Sequence, residues 1–369
     1  MNGFISRSFC FSIFIKRYIL LVKNIIIFGG AGFIGTNLTK HLLDEGNKVL
    51  CIDNYFTGRL VNINQFLKNQ NYLCWNADIT HKETFEQIDD IIEAFFYNEH
   101  FHGSSMNNEP FHGSSMNKFV DEIYNLACPA SPPKYQIDPI YTIHTSLAVE
   151  NICKLAIKYD AKMLHSSTSE VYGDPDEFHH PQKETYRGNV NTMGPRACYD
   201  EGKRIAETII YEYIKKGCKA KVIRIFNTYG PYMDPNDGRV VSNFICQMLR
   251  NEDVTIYGDG SQTRSFQYID DLLDGMRAMM DTEDDFYGPV NIGSPYEFNM
   301  DDLVDFVHQL IPHTKSKVVY KDLPKDDPKQ RQADITKLKE KTGWQPKVKL
   351  LEGLSKTIEY FKKELNIFK

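Results

Sequence analysis

Seven short apolar runs, rich in β-branched and aromatic residues, alternate with longer amphipathic stretches along most of this 369-residue chain. The composition of the runs favours strands, and most of the intervals are long enough for a crossover helix. The runs are KNIIIF, KVLCID, NYLCWNADI, DEIYNLA, KMLHSST, KVIRIFN and PVNIG. This alternation predicts an α/β fold with a doubly wound parallel sheet, whose ligands bind at the carboxyl ends of the strands.

A glycine-rich turn, GGAGFIGTNLTKHLLDEG, follows the first run directly. Gly29, Gly32 and Gly35 satisfy the pattern GxxGxxG between a predicted strand and a predicted helix. At such a turn the pyrophosphate of a dinucleotide meets backbone amides and the positive end of a helix dipole. The context therefore predicts a Rossmann-type sheet that binds a dinucleotide.

Asp53, at the end of the second run, indicates which dinucleotide is bound. It lies about twenty residues after the glycines, where a carboxylate accepts both ribose hydroxyls of NAD and repels the 2′-phosphate of NADP. NAD is therefore the predicted cofactor. The alternative interpretation of Asp53 is a turn or cap residue.

Tyr199 and Lys203, in the stretch CYDEGKR, are four residues apart, which places both side chains on one face of a helix. An ammonium group beside a phenol favours the phenolate and lowers the pKa of the tyrosine, which then acts as a base near neutral pH. Such a pair alone is common on ordinary helices. Together with the glycine turn, Asp53 and a hydroxyl at the end of a middle strand, it predicts a catalytic pair.

Charge and cysteine content disfavour several other classes of protein. The formal net charge is −6 and basic residues are scattered along the chain, which argues against a nucleic-acid partner. The eight cysteines include no CxxC pair, which favours free thiols in a reducing compartment over disulfides or a zinc site. We predict no metal site.

Two segments stand apart from the regular pattern. Residues 101–117 contain the heptad FHGSSMN twice, which we interpret as a duplicated surface insertion. The alternative is a metal-binding tract through His102 and His112. It is disfavoured because no cysteine or carboxylate cluster completes such a site. The first 22 residues are apolar and basic, but Lys16 and Arg17 cut the apolar run below the ~20 residues that a spanning helix needs. We therefore expect a soluble leader.

The domain organisation follows from these breaks. We predict that the leader covers residues 1–22 and that an NAD-binding domain follows at residues 23–228, with an insertion at about 81–118. A return segment at about 265–293 belongs to the same domain. The smaller, loop-rich substrate-binding lobe takes residues 229–264 and 294–369.

The motifs GxxGxxG, YxxxK and TSEVYG together resemble the extended short-chain dehydrogenase/reductase superfamily. Within it, five longer blocks look like the UDP-glucuronate decarboxylase, or UDP-xylose synthase, family and match it from Lys23 to about Lys362. The blocks are NLACPASPPKYQIDPI, STSEVYGDP, GPRACYDEGKR, RIFNTYGPYMDPNDGRVVSNF and VYGDGSQTRSFQYIDDL. The resemblance implies an NAD-dependent enzyme that converts UDP-glucuronate to UDP-xylose.

The resemblance also implies the roles of five residues. Tyr199 takes the proton of the sugar 4-hydroxyl while hydride leaves C4, Lys203 tunes it, and Thr168 hydrogen-bonds the same oxygen. The oxidised sugar is a β-keto acid, so carbon dioxide leaves with its electrons delocalised into the ketone. Glu170 and Arg331 resemble the pair that assists decarboxylation and protonation of C5.

Ser169 separates this chain from the related sugar-nucleotide 4,6-dehydratases, which carry an Asp-Glu pair where it has Ser169 and Glu170. Eliminating water needs an acid for the leaving hydroxyl, whereas decarboxylation does not. A 4-epimerase or dehydratase is an alternative that Ser169 and the presence of Arg331 disfavour. Two alternatives stay open: a decarboxylase that releases UDP-4-keto-pentose with NADH, and a catalytically silent NAD-binding scaffold. A further departure is Ala333, which stands where family members usually carry proline.

The motifs and the resemblance imply two sets of binding residues. The cofactor set is Gly29, Gly32, Phe33, Ile34, Gly35, Asp53, Asn54, Thr57, Gly58, Asp78, Ile79, Leu126, Ala127, Tyr199 and Lys203. The substrate set is Pro129, Ser131, Asn227, Arg239, Val240, Ser242, Asn243, Tyr257, Gln262 and Arg264. In the family the segment from Arg239 contacts the diphosphate, Tyr257 lies near the uracil and Arg264 binds a phosphate.

The resemblance further implies a homodimer, in which residues 143–159 and 199–214 of two copies form a four-helix interface. Eukaryotic members are often anchored in the Golgi, whereas bacterial and some plant members are cytosolic. The short, charged leader favours a cytoplasmic protein without firm membrane association. The Golgi lumen is the alternative.

Overall fold

A computed structural model describes residues 22–97 and 119–367, apart from residues 325, 327 and 329. Seven strands form a parallel sheet at its centre. They are β1 (Asn24–Phe28), β2 (Lys48–Asp53), β3 (Tyr72–Asn76), β4 (Glu122–Asn125), β5 (Lys162–Thr168), β6 (Ala220–Ile225) and β11 (Val290–Ile292). Each overlaps one of the seven apolar runs of the sequence.

The strand order is β11-β6-β5-β4-β1-β2-β3. β1 pairs with β2 on one side and with β4 on the other, so the chain winds away from β1 in both directions. In open α/β sheets the crevice at such a switch point, at the carboxyl ends of the strands, is where ligands bind. The order confirms the predicted doubly wound, Rossmann-type sheet.

β1 shows why continuous apolar runs form this sheet. Successive side chains of a strand point to opposite faces, so Ile25 and Ile27 pack into one hydrophobic core while Ile26 and Phe28 pack into the other. All four side chains are fully buried. A parallel sheet covered on both faces therefore needs apolar residues at every position and not at alternate ones.

Helices cover both faces. They are α1 (Phe33–Asp44), α2 (Leu60–Ile63), α3 (Lys82–Ile92), α4 (Pro132–Tyr135), α5 (Pro139–Leu147), α6 (Val149–Lys158), α7 (Ala197–Ile214), α8 (Val240–Arg250), α9 (Ile269–Met280), α10 (Met300–Leu310), α11 (Thr336–Thr342) and α12 (Leu350–Glu364). The π-helix Glu93–Tyr97 extends α3, and 3₁₀-helices span Ser169–Tyr172 and Glu177–His179. α1, α8 and α9 pack in one core, and α3, α6 and α7 in the other.

Short strands after β6 form three small sheets. β7 (Thr228–Tyr229) pairs with β10 (Gln267–Tyr268), β8 (Val254–Tyr257) pairs with β13 (Val318–Lys321), and β9 (Thr263–Ser265) lies between β12 (Glu297–Asn299) and β14 (Gln330–Arg331). Most of these strands belong to the segments predicted as the substrate-binding lobe. The boundaries of that lobe stay a prediction.

The duplicated heptad at residues 101–117, with His102 and His112, lies outside the described residues, as does the leader except for its last residue. α3, at the start of the predicted insertion, buries Ile88 and Ile92 in a core of the sheet. Within the described ranges, none of the helices has the length and apolar content that crossing a membrane requires. The seven cysteines of these ranges are free thiols, as predicted.

Candidate active site

A cavity of about 500 Å³ opens at the carboxyl ends of β1, β4 and β5. It runs from the glycine turn after β1 to the small sheets that contain β8 and β9. All the predicted catalytic, cofactor-binding and substrate-binding residues line it, except Asp78 and Ser242. Reaction between a cofactor and a substrate requires that the two be held next to each other, and a single continuous cavity meets this requirement.

The glycine turn brings α1 close to the sheet. Gly29 has a φ of +82°, and a Cβ on it would lie 2.8 Å from backbone atoms of Leu126 and Ala127. A Cβ on Gly35 would lie 2.2 Å from the carbonyl oxygen of Gly29. A side chain on Gly29 would therefore collide with the segment after β4, and one on Gly35 would push α1 away from the turn.

The N-terminus of α1 faces the cavity. The N-cap residue is Gly32, which has no side chain to hydrogen-bond the amides of the first turn. Phe33, Ile34 and Gly35, which form that turn, line the cavity. Because first-turn amides have no partner inside the helix, they are donors for an anionic group such as a pyrophosphate.

Asp53, at the end of β2, holds the glycine turn in place. Its Oδ2 accepts a hydrogen bond from the backbone N–H of Ala31 at 2.9 Å, and its Oδ1 accepts one from that of Tyr55 at 2.8 Å. Burial raises the pKa of Asp53, although these two hydrogen bonds oppose the effect. Each carboxylate oxygen accepts more than one hydrogen bond, so the group still has capacity for ribose hydroxyls.

Asp78 lies behind the cavity wall. Its Oδ2 accepts hydrogen bonds from Nδ2 of Asn54 at 2.7 Å and from the hydroxyl of Tyr141 at 2.9 Å, while Oδ1 binds Thr80. Burial by itself would raise the pKa of Asp78, but these hydrogen bonds lower it. Asp78 therefore orients Asn54, which lines the cavity, and does not face the cavity itself.

Tyr199 and Lys203, both on α7, meet the end of β5. Nζ of Lys203 lies 5.8 Å from the centre of the Tyr199 ring and donates a hydrogen bond to the carbonyl of Ser166 at 2.8 Å. The Tyr199 ring stacks on that of Tyr135, with centroids 5.0 Å apart. Thr168, the last residue of β5, is close enough to Tyr199 to lower the pKa of the tyrosine hydroxyl. The predicted catalytic pair, Tyr199 and Lys203, therefore lies next to Thr168, whose hydroxyl was expected at the end of a middle strand.

The pKa of Tyr199 differs from the expectation. Burial is the largest influence and raises the pKa of Tyr199. The Cys128 thiol acts in the same direction, while Thr168 opposes them. Burial also lowers the pKa of Lys203. The prediction of a lowered Tyr199 pKa is therefore wrong in this structure, because the cost of burying a phenolate exceeds the influence of the ammonium group.

Glu170 lies in the 3₁₀-turn after β5, where its backbone N–H donates to Oγ of Thr168 at 3.2 Å. Two guanidinium groups hold its carboxylate: Arg331 donates to Oε1, and Arg196 donates to Oε2 at 2.6 Å. Burial by itself would raise the pKa of Glu170, but the charges of Arg331 and Arg196 outweigh it and lower the pKa to about 2. The carboxylate is therefore ionised throughout the neutral range.

The sequence reasoning did not single out Arg196 or Tyr135, although both line the cavity. Arg196 lies one turn before Tyr199 in the block GPRACYDEGKR, and a positive charge at that spacing was a usable signal. Tyr135 gave no such signal, because its stacking on Tyr199 joins α4 to a distant part of the chain.

The segment that carries Arg331 is fixed by hydrogen bonds. Arg331 lies in β14, which pairs with β9, and its Nη2 donates to the carbonyl of Gly173 at 3.3 Å. The backbone N–H of Gln332 donates to the Gln182 side chain at 2.8 Å. Ala333, in place of the family's proline, is buried and forms a β-bridge with Gln182. The segment is thus held in place without the proline.

The start of α8 forms another part of the wall. Arg239 is the N-cap of this helix, pairs with Asp237 and lines the cavity with Val240 and Asn243. Ser242 is fully buried, and its hydroxyl donates to the carbonyl of Arg239 at 2.9 Å. Ser242 therefore supports the helix start and does not face the cavity.

Residues of β8 and β9 and of the following loops line the far end. Tyr257 is partly exposed, and its carbonyl accepts a hydrogen bond from Gln262. Arg264 is almost buried and donates to the carbonyls of Thr263 at 2.8 Å and Pro328 at 2.6 Å. A fixed guanidinium group of this kind suits recognition of a phosphate.

Asn227, Pro129 and Ser131 complete the predicted substrate residues in the wall. The buried hydroxyl of Ser131 has no hydrogen-bond partner among the described residues, so it is available to a ligand. In the part of the chain that the structure describes, no group of three or more His, Cys, Asp or Glu side chains is placed to hold a metal ion.

Comparison with known proteins identifies the family. The model of the NAD dependent epimerase/dehydratase family matches residues 25–293. UDP-glucuronic acid decarboxylase 1 of Xenopus tropicalis is 44% identical over 346 residues, which are 93% of this chain and 73% of that protein. UDP-glucuronic acid decarboxylase 5 of Arabidopsis thaliana is 44% identical over 349 residues, 94% of this chain and 91% of that protein. The chain belongs to the NAD dependent epimerase/dehydratase family and, within it, to the family of the UDP-glucuronic acid decarboxylases.

Solved structures of 4-epimerases share the fold of this chain. The UDP-glucose 4-epimerase of Thermotoga maritima, solved with UDP-glucose, has a TM-score of 0.77 and 29% identity, and the match covers 93% of this chain and 99% of that one. The UDP-glucuronic acid 4-epimerase of Bacillus cereus, solved with UDP-glucuronic acid and NAD, has a TM-score of 0.76 and 25% identity, covering 92% and 99%.

The residues around the glycine turn fit NAD. The uncapped N-terminus of α1 offers amide donors, the two glycines leave space that a Cβ would fill, and Asp53 supplies a carboxylate beside them. The family is NAD dependent, which confirms the predicted cofactor. The contacts of the individual cofactor residues stay a prediction.

Proposed function

We propose that this protein converts UDP-glucuronate to UDP-xylose and carbon dioxide by oxidation at C4, decarboxylation of the resulting keto acid and reduction at C4. The observation that carries the proposal is the ionised Glu170, held between Arg331 and Arg196 in the same cavity wall as Tyr199. Relatives that are 42–44% identical are named UDP-glucuronic acid decarboxylases, which supports it.

Bound NAD would supply the hydride acceptor for oxidation at C4 of the sugar and the hydride donor for the later reduction at C4. The first-turn amides of α1 would hold its pyrophosphate, and Asp53 would hold a ribose. Gly29 and Gly35 permit the close approach, because any Cβ at these positions would collide with the surrounding backbone.

Tyr199 acts on the proton of the 4-hydroxyl. Its ring is oriented by stacking on Tyr135, and Thr168 is close enough to lower the pKa of the Tyr199 hydroxyl. Burial raises the pKa of Tyr199 and so favours the phenol, which is the form that gives its proton back to the sugar oxygen when C4 is reduced again. Lys203 donates a hydrogen bond to the carbonyl of Ser166. Its positive charge favours the phenolate, which is the form that takes the proton from the 4-hydroxyl.

Glu170 serves the carbon dioxide step. A carboxyl group with a pKa of about 2 is a poor proton donor near neutral pH, so Glu170 does not itself protonate C5. We infer that Glu170 and Arg331 orient a water molecule, which gives a proton to C5 after carbon dioxide has left. The hydroxide that remains takes up a proton from the solvent. Electrons released by decarboxylation delocalise into the C4 ketone, so no acid is needed at the leaving group.

The nucleotide end of the substrate lies at the start of α8 and along β9 in this proposal. Arg239 and Asn243 would contact the diphosphate, Arg264 a phosphate, and Tyr257 the uracil. All four line the far part of the cavity. Arg264 is the best fixed of them, because two carbonyls hold its guanidinium group.

Two other reactions use the same site. A decarboxylase that loses the intermediate would release UDP-4-keto-pentose with NADH. A 4,6-dehydratase would need an acid beside Glu170, but that position holds Ser169, whose side chain is buried. Neither alternative is favoured by a specific contact in the cavity.

We also propose that the protein is a homodimer. α5 and α7 pack closely, since a Cβ on Gly202 would lie 2.8 Å from Oγ of Ser146. Ile140 and Leu147 on α5 and Ile205 on α7 are exposed. An apolar surface on two adjacent helices suits pairing with the same helices of a second copy.

The proposed cytoplasmic location rests on the leader, where Lys16 and Arg17 interrupt the apolar run. Fractionation of cells that express the full chain tests it. Protein in the cytosolic fraction supports it, and protein in the Golgi fraction contradicts it.

The proposed function is tested by incubating purified protein with UDP-glucuronate and NAD and measuring carbon dioxide, NADH and the sugar product. Carbon dioxide with UDP-xylose and no net NADH supports the full cycle. If carbon dioxide appears with stoichiometric NADH and a keto-pentose, the protein is a decarboxylase but does not carry out the final reduction. UDP-galacturonate without carbon dioxide would indicate a 4-epimerase.

A further inference from the structure

β2 and β3 place two thiols side by side. Cys51 and Cys74 are directly opposite each other in the register of these strands, and their Sγ atoms are 3.6 Å apart. Neighbouring strands lie about 4.8 Å apart. This spacing falls within the range of about 4.4–6.8 Å that disulfides require between Cα atoms.

The two thiols differ in exposure. Cys51 is fully buried, whereas Cys74 is partly exposed on β3, the edge strand of the sheet. The hydroxyl of Tyr55 lies 3.1 Å from Sγ of Cys74. Hydrogen bonding with the Cys51 thiol, helped by Tyr55 and opposed by burial, lowers the pKa of Cys74 to about 7. Cys74 is therefore the thiol that reacts first with an oxidant from solution.

Cys51 also touches the glycine turn. A Cβ on Gly30 would lie 2.4 Å from Sγ of Cys51, so the sulfur fills the space directly beneath the turn. Two residues further along β2, Asp53 holds the backbone of Ala31 in the same turn. Movement of the Cys51 sulfur therefore acts on the part of the chain that binds NAD.

We propose that Cys51 and Cys74 form a site of reversible oxidation, at which a peroxide closes a disulfide between β2 and β3 and weakens NAD binding at the adjoining glycine turn. This proposal rests on the NAD dependence of the family and not on the reaction of the sugar.

The chemistry balances in two steps. The Cys74 thiolate attacks one peroxide oxygen, the O–O bond breaks, and the leaving hydroxide takes up a proton to become water, which leaves Cys74 as a sulfenic acid. The sulfur of Cys51 then attacks that of Cys74; an S–S bond forms, the S–O bond breaks, and a second water leaves with the proton of Cys51. The two thiols lose two electrons and two protons, and the peroxide is reduced to water.

Closing the bond shortens the sulfur separation from 3.6 Å to about 2.05 Å. We expect the sulfur of Cys51 to shift towards Cys74 and away from its position under Gly30. The backbone that approaches the pyrophosphate then loses its support. We expect the Kd for NAD to rise about tenfold, the change that corresponds to the loss of about one well-made hydrogen bond.

Cys153 and Cys218 provide a matched control. These two thiols are also close enough to influence each other's pKa, but both are buried in the core on the other face of the sheet from Cys51. A Cys218→Ala variant removes this second pair and leaves Cys51 and Cys74 in place. We expect it to respond to peroxide as the wild-type protein does.

The experiment treats the full-length protein with hydrogen peroxide, maps cross-linked peptides by mass spectrometry, and titrates NAD before and after dithiothreitol. The expected result is a Cys51–Cys74 cross-link with about tenfold weaker NAD binding, both reversed by dithiothreitol. Cys74→Ser should show neither effect, and Cys51→Ala serves as a second variant if Cys74→Ser folds poorly.

Three outcomes would overturn the proposal. The first is the absence of the Cys51–Cys74 cross-link after peroxide, and the second is a cross-link that leaves the Kd for NAD unchanged. The third is a loss of NAD binding in peroxide-treated Cys74→Ser that equals the loss in the wild-type protein. That result would point to another thiol, such as Cys128 in the cavity wall. None of these outcomes involves UDP-glucuronate, so each is distinguishable from a failure of the proposed function.

Discussion

Arg331 and Glu170, 161 residues apart in the chain, form a hydrogen-bonded ion pair in the wall of the cavity. The Arg331 side chain is only 3% exposed and that of Glu170 is 15% exposed, so the carboxylate is the more open member of the pair. The pair connects the turn after β5 to β14. It thereby joins the two predicted lobes at the reacting end of the cavity.

Replacing Glu170 with Gln should slow decarboxylation. The variant keeps the shape of the side chain but loses the charge that both guanidinium groups hold, and we expect kcat to fall by about 10²–10⁴-fold. The measurement is the rate of carbon dioxide release from UDP-glucuronate. Glu177→Gln, on the exposed 3₁₀-turn nearby, is the matched control. If Glu170→Gln and Glu177→Gln release carbon dioxide at equal rates, Glu170 has no role in decarboxylation.

Replacing Tyr199 with Phe should abolish turnover while leaving the fold intact. The ring can still stack on Tyr135, but the hydroxyl that handles the proton of the sugar is gone, so we expect a loss of about 10²–10⁴-fold in kcat. Tyr211→Phe, an exposed position on the same helix, should keep wild-type activity. Full activity in Tyr199→Phe would support a different base.

Asp200, buried one residue after Tyr199, should make stability depend on pH. Burial, followed by the charge of Glu170, raises the pKa of Asp200 from 3.8 to about 7. Between these values the folded protein binds a proton that the unfolded chain lacks, so stability falls as the pH rises through this window.

Asp200→Asn stays neutral, so the Tm of this variant relative to wild type should increase by a few degrees between about pH 5 and about pH 8. Scanning fluorimetry at the two values measures this difference. Asp90→Asn, at an exposed position on α3, is the control. A difference in Tm that does not change with pH would contradict the raised pKa of Asp200.

Replacing Gly35 with Ala should prevent NAD binding. A Cβ there would lie 2.2 Å from the Gly29 carbonyl oxygen, so α1 must move away from the turn. We expect the Kd for NAD, measured by calorimetry, to rise at least about tenfold. Gly46→Ala is the control, because its φ is +87° but no atom lies within 4 Å of the added Cβ. If Gly46→Ala loses as much NAD affinity as Gly35→Ala, general destabilisation and not the collision at Gly35 explains the effect.

Replacing Ile140 with Asp should disrupt the proposed dimer. Ile140 is 61% exposed on α5, and a charge in an apolar interface loses its hydration when two copies associate. Light scattering should show the variant as a monomer. Leu67→Asp, similarly exposed but remote from α5 and α7 in the sequence, should leave the dimer intact. A wild-type protein that is already a monomer would reject the proposed dimer.

Much of the large sheet could be predicted from sequence because its strands are buried on both faces. The run NIIIF must be apolar at every position that faces a core, so it stands out without any knowledge of its neighbours. The glycine turn and the spacing of Tyr199 and Lys203 are local patterns as well. The small sheets were not predictable strand by strand, because strands of two to four residues carry too little periodicity.

The rest of the site depends on contacts between distant segments. The raised pKa of Tyr199 follows from burial by α4 and the end of β5, which no spacing within CYDEGKR reveals. Asp78 and Ser242 have the residue types of ligand contacts, but their hydrogen bonds are made to Asn54 and to the start of α8. The contact between Cys51 and Cys74 likewise requires the register of β2 and β3.

The most direct test of the proposed reaction uses UDP-glucuronate labelled with deuterium at C4 and with carbon-13 at C6. The account predicts labelled carbon dioxide in equal amount to UDP-xylose, with the deuterium still on C4, because the hydride leaves and returns within one active site. Absence of labelled carbon dioxide would contradict the account.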